Sequence, residues 1–282
     1  MLEQLYPVKL IEKRAIFAFI LGITFSIIGI GLSVLLFPED PALVAVALIS
    51  LMFYPTLKVL LRSEEIQETK SKKFTLITFF QNHKHIFRIY ILFFLGVLLG
   101  FAFFSINMTS LATNHIFNSQ VNILYGVTGN AFSIERFGDI LNNNISVLII
   151  IFITAFLLGD GGIFLLTWNA SVWGTIFGLF AKNYALDTAG NPIYAFLLVL
   201  AIVITHTLLE AFAYVSSATA GGVISRGIIT EKFMSQSFFR VLKGTLVTLL
   251  FAVVVLVIAV AVETWVLGNV TIYQEIVRHS FI

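Results

Sequence analysis

His206 and Glu210 stand four residues apart inside an apolar run, 196–215, that is long enough to cross a bilayer. On a helix, residues four apart are separated by about 40° in projection, so imidazole and carboxyl share a face. Ser217 lies nearly on the same line, as do Ala213 and Gly221. Ionisable side chains at membrane depth are costly and face protein or a water-filled cavity. Three chemistries fit the pair. It could lock helices together through hydrogen bonds to each other and to Asn169, the deep polar group of the preceding apolar run. It could relay a proton or ion between an acid and an imidazole. It could supply two ligands to zinc, but a catalytic zinc site usually has three protein ligands plus water. There is no HExxH, and His83, His85, His115 and His279 all fall in expected loops or tails. Ser216 and Ser217 lack a GxSxG setting, and no phosphate-binding GxxxxGK[ST] occurs. No metal, catalytic set or cofactor is therefore expected. Asn142, Asn143, Asn144 and Asp160 are possible supporting groups. Glu263, near the outer end of the last apolar run, is expected to snorkel and is left out of the cluster.

The elements that must hold these residues are transmembrane helices. Of 282 residues, 59% are hydrophobic and 11% charged, against about 25% charged in soluble domains. A soluble core of this length could not hide so much apolar surface. There is no cysteine, which excludes disulfides and thiolate chemistry. A net charge of +2 gives no argument for nucleic acid. A span needs about 20 mostly apolar residues. Runs at 15–37, 42–61, 89–106, 145–158, 163–181, 193–220 and 244–267 predict an all-α, polytopic bundle of about seven spans. The fourth is short, and either borrows residues from 139–144 or is re-entrant; full crossing is preferred. With the N-terminus cytoplasmic and the C-terminus outside, only Arg136, Lys182 and Arg278 among the 17 Lys and Arg fall outside. Residues 62–88 and 221–243 then form basic cytoplasmic loops, and 107–144 an outer segment whose stretch 131–141 could lie at the interface as an amphipathic helix. Asn107, Asn144 and Asn269 begin outer glycosylation sequons.

Small residues recur at four-residue spacing, which lets helix backbones approach where lipid supplies no hydrophobic drive. Gly96 and Gly100 do this in the third span, Ala170, Gly174 and Gly178 in the fifth, and Gly22, Ser26, Gly29 and Ser33 in the first. Gly221 and Gly222 close the sixth. Packing within the chain is expected from them, ahead of a homo-oligomer face.

Several stretches together resemble the stage II sporulation protein M family. They are Asn142-Asn143-Asn144, Leu158 to Gly162, Leu166-Thr167-Trp168-Asn169-Ala170, His206-Thr207-Leu208-Leu209-Glu210-Ala211 and Ala218 to Gly222. The likeness is closest over about 142–225. The family has glycine where Ala170 and Thr207 stand here. The resemblance implies an integral membrane protein with protein partners, since the sporulation member belongs to a complex with cell-wall-degrading proteins. It carries over Asn169, His206 and Glu210 as the family's polar positions. It divides the chain at about residue 88, with 1–88 as an N-terminal hairpin plus loop and 89–282 as the family-like membrane domain. A multi-pass protein of the cell membrane is expected, in contact with lipid and other membrane proteins: a non-enzymatic scaffold, or else a small transporter or channel with a His206/Glu210 site, or an intramembrane hydrolase.

Overall fold

The computed structural model describes residues 11, 14–70, 76–128, 137–159 and 161–279. Among them there is no strand. The helices are α1 Ile16–Leu36, α2 Pro41–Lys70, α3 Leu76–Asn107, α4 Ser110–Ile116, α5 Asn118–Thr128, α6 Phe137–Leu158, α7 Gly162–Asp187, α8 Pro192–Thr230, α9 Gln236–Asn269 and α10 Thr271–His279. Seven of these, α1–α3 and α6–α9, are long and apolar enough to cross a membrane.

Three boundaries differ from those expected. The fourth span is not short: α6 begins at Phe137 and has 22 residues, about 33 Å at 1.5 Å per residue. The apolar run stops at Ile145, but the helix continues because Asn142 and Asn143 are exposed while Asn144 finds partners inside. The stretch 221–243 is not a loop up to Lys243: α8 runs on through Gly221 and Gly222 to Thr230, and α9 starts at Gln236. Packing overrides the poor helix propensity of glycine there. The basic stretch 62–88 is mostly helical, in α2 and α3, and only 71–75 between them lies outside the described residues.

α7 is the most enclosed span, with 72% of its apolar window buried, and it packs on α3, α8, α5 and α10. The expected small-residue rows sit at backbone crossings. A Cβ on Gly22 would come within 2.6 Å of Phe93 O, and Gly96 meets α1 at the same crossing. Gly100 lies against Ser26, Gly174 against Leu98, and Gly178 against Ala102 and Ser105. Ala170 is fully buried. These contacts order α3 and α7 in parallel. Gly159, left-handed at φ +68°, turns the chain between α6 and α7, so α6 starts at the end of the bundle where α3 stops.

Of the segment expected on the outer side, α4 and α5 enter the bundle at that end. Lys182 donates to Met108 O at 2.5 Å, which levels α7 with the exit of α3. His115 Nε2 donates to Pro38 O at 2.7 Å, beside the α1–α2 turn. Five residues on, Gln120 Nε2 donates to Ser171 Oγ at 3.1 Å. Ser171 is eleven residues from Lys182 along α7, about 16 Å deeper. Phe117 and Val121 are buried with it, and the Phe117 ring stands 5.2 Å from that of Phe101. The break in helix at Phe117, between α4 and α5, is tolerated because protein surrounds it. Few charges and an apolar face at Ile116, Phe117 and Val121 make this entry possible. Of the expected interfacial helix 131–141, residues 131–136 lie outside the described residues and the remainder opens α6.

Candidate functional site

Glu210 sits near the middle of α8, eighteen residues after Pro192 and twenty before Thr230. Asn191 fixes the start of that helix: its Oδ1 accepts from the N–H groups of Ile193 and Tyr194. Glu210 is 1% exposed. Asn144 of α6, 7% exposed, donates through Nδ2 to Glu210 Oε1 at 3.3 Å. Tyr214, one turn beyond Glu210 on α8, donates its hydroxyl to Asn144 Oδ1 at 2.7 Å. Asn144 thus bridges two α8 side chains, and its burial removes it as a glycan acceptor.

The fourth member was not expected. Glu263 of α9 adjoins Glu210, carboxyl to carboxyl. Glu263 is half-buried, and its Oε2, like Glu210 Oε2, is buried with no hydrogen-bond partner. The helix α9 continues to Asn269 and α10 packs beyond it, which puts protein over that oxygen. Tyr273 of α10 is buried over this region. Burial, and then the Glu263 carboxylate, push its hydroxyl above the usual tyrosine range. A carboxylate can only accept hydrogen bonds, so two adjoining carboxyls can bond each other only when one of them carries a proton. Among the described residues no basic side chain pairs with either.

The other expected members occupy different positions. His206 is buried one turn from Glu210, but no hydrogen bond joins the two among the described residues. Its ring meets the edge of Trp173, centroids 6.5 Å apart, and its Nδ1 has no partner. Asn169 is half-buried and donates to Leu165 O within its own helix. Ser217 donates to Leu148 O at 2.8 Å, so it belongs to the α6–α8 seam. Gly221 lies on that seam, where a Cβ would sit 2.6 Å from Phe152 O, and Gly222 is buried beside it. Asn142 and Asn143 are exposed. Asp160 lies outside the described residues. No group of three or more His, Cys, Asp or Glu that could hold a metal occurs among the described residues.

A second polar contact occupies the opposite face of α7, where Gln120 meets Ser171. Gln120 is fully buried and its Oε1 has no partner. An unmet buried amide oxygen costs about 1–3 kcal/mol, while a buried hydrogen bond returns less. Gln120→Leu is therefore expected to leave thermal stability in detergent unchanged or to raise it by about 1 kcal/mol. Ser171 Oγ keeps its bond to Trp168 O in that variant. A loss of stability would mean that the amide oxygen is satisfied.

Glu263 carried one signal in the sequence: it is the single charged residue between Lys243 and Glu275. Tyr214 stands on the Glu210 face, one turn away. Gln120 carried none beyond its place in a low-charge segment. No curated protein matches the chain, and neither does any solved structure. The model of the family described as stage II sporulation protein M matches residues 89–266, more than half of the chain, and takes in Asn144, Glu210, Tyr214 and Glu263; the chain belongs to that family.

Proposed function

We propose that this chain is a small ion-coupled membrane transporter or channel in which Glu210 and Glu263 take up the coupling cation. One observation carries the reading: two carboxyls from different helices adjoin within membrane-spanning segments with no basic partner among the described residues. Packing alone does not call for acids there. Buried charges removed from water are weak sources of stability, and isosteric neutral residues serve as well or better. Two adjoining acids with no basic partner favour a cation or proton that arrives and leaves. Asn144 and Tyr214 hold Glu210 in place, and His206 stands one turn along the same helix.

Flux tests this. Protein reconstituted in liposomes is expected to dissipate an imposed cation or proton gradient. The doubly neutral variant Glu210→Gln with Glu263→Gln is expected to stay folded by gel filtration and to leave the gradient at the level of empty liposomes. Equal dissipation by both proteins, or by neither, would remove the transport reading.

A second reading, a non-enzymatic scaffold with membrane-protein partners, has its own support in the α6–α8 seam. Ser217 and Gly221 there fix one helix rigidly on the other. It gains if no gradient is dissipated and Glu210→Gln lowers thermal stability.

A further inference from the structure

We infer that the ion taken by the Glu210–Glu263 site is a proton rather than a metal cation. This rests on the ion-coupled reading of the same site and narrows its substrate class.

A metal cation needs a shell of oxygen ligands, six to eight for calcium and six for magnesium. The cluster does not offer one. Its neutral carbonyl, Asn144 Oδ1, is already bonded by the Tyr214 hydroxyl at 2.7 Å. Its amide turns an N–H toward Glu210 Oε1 at 3.3 Å. A donor aimed into the site opposes a metal ion and suits a carboxyl. Transporter sites for sodium also draw on carbonyls freed where a helix unwinds. Here α6, α8 and α9 are all regular at Asn144, Glu210 and Glu263, so their main-chain carbonyls are engaged within the helices. What remains is carboxyl against carboxyl, which a proton satisfies without any further ligand.

The titratable groups turned toward the pair are Tyr214 from α8 and Tyr273 from α10. α6 presents the neutral Asn144. His206 stands aside against Trp173 of α7. In the loaded state both carboxyls carry protons. Release breaks one carboxyl O–H bond and passes the proton to water, and the remaining proton is shared between the two oxygens. One proton moves per cycle and nothing is oxidised or reduced.

Dicyclohexylcarbodiimide tests this directly, because it adds across a protonated carboxyl in an apolar site. The reconstituted protein would be treated over a range of pH in choline chloride, then in sodium, potassium or calcium chloride at equal ionic strength. Adducts would be located by peptide mass spectrometry. The expected result is an adduct at Glu210 or Glu263 that falls as pH rises and is the same in every salt. Glu263→Gln should lose any adduct at 263, and gel filtration would show it folded. Protection by any one metal cation would overturn the proton assignment and leave the ion-coupled reading standing. No adduct at any pH would overturn it as well. The ion-coupled reading is judged separately, by the flux measured with and without the two acids.

Discussion

Asn144→Leu is expected to lower stability in detergent by at least about 2 kcal/mol, because it strands two buried groups at once. Leucine has the same number and branching of side-chain heavy atoms as asparagine, so the steric change is small. The hydrogen-bonding change is large. The Tyr214 hydroxyl loses its acceptor, and Glu210 Oε1 loses its donor. Hydrogen bonds between transmembrane helices average only about 0.6 kcal/mol, because the unfolded chain in the membrane finds other partners. Counting two lost bonds at that rate gives too little. Each stranded group also carries its own desolvation cost of about 1–3 kcal/mol, and this larger effect decides the outcome. The second variant in the cycle is Tyr214→Phe. It removes the hydroxyl that Asn144→Leu strands, so the double variant should be more stable than Asn144→Leu alone. Thermal denaturation of the four proteins in one detergent gives the coupling. Additive losses would show that the tyrosine and the asparagine do not bond.

The sequence made the membrane class and the spans legible because lipid selects long apolar runs, and nothing else in a chain of this composition could bury them. It made the small-residue crossings legible too, since a glycine row at four-residue spacing has one strong use in a membrane. The acidic site was half legible. Glu210 stood out because an ionisable group deep in an apolar run is rare. The hydrogen bonds expected from Glu210 to His206 and Asn169 are not made among the described residues. His206 and Asn169 are near it by sequence or by depth, but helix rotation turns one toward Trp173 and the other onto its own backbone. Glu263 stands four residues before the end of the apolar run 244–267, where the sequence places an acid at headgroup depth. Only the packing of α10 and of Glu210 beside it buries its Oε2, and that is a tertiary feature. The same limit applies to Gln120. The low charge of residues 107–128 permits an inward turn without specifying one; the contacts with α2, α3 and α7 that accept them are a tertiary feature.

Packing and chemistry meet at Gly221, and Gly221→Leu should damage both. A Cβ there would lie 2.6 Å from Phe152 O and 3.0 Å from Phe156 N. Both are main-chain atoms of α6, so no side chain can swing aside, and α6 must move as a body. Overpacking of a core costs about 1–3 kcal/mol and more where the backbone itself must shift; the upper part of that range is expected. Moving α6 also pulls Leu148 O from Ser217 Oγ, now 2.8 Å apart, and carries Asn144 away from Glu210 and Tyr214. The variant should thus lose cation or proton flux together with stability. The control is Gly31→Leu, on the exposed side of α1 with nothing within 4 Å of an added Cβ. It should match the unaltered protein in both measurements. Because Gly221→Leu already separates Asn144 from its partners, adding Asn144→Leu should cost less than it does alone. Full additivity would mean that the α6–α8 seam and the acidic site are independent.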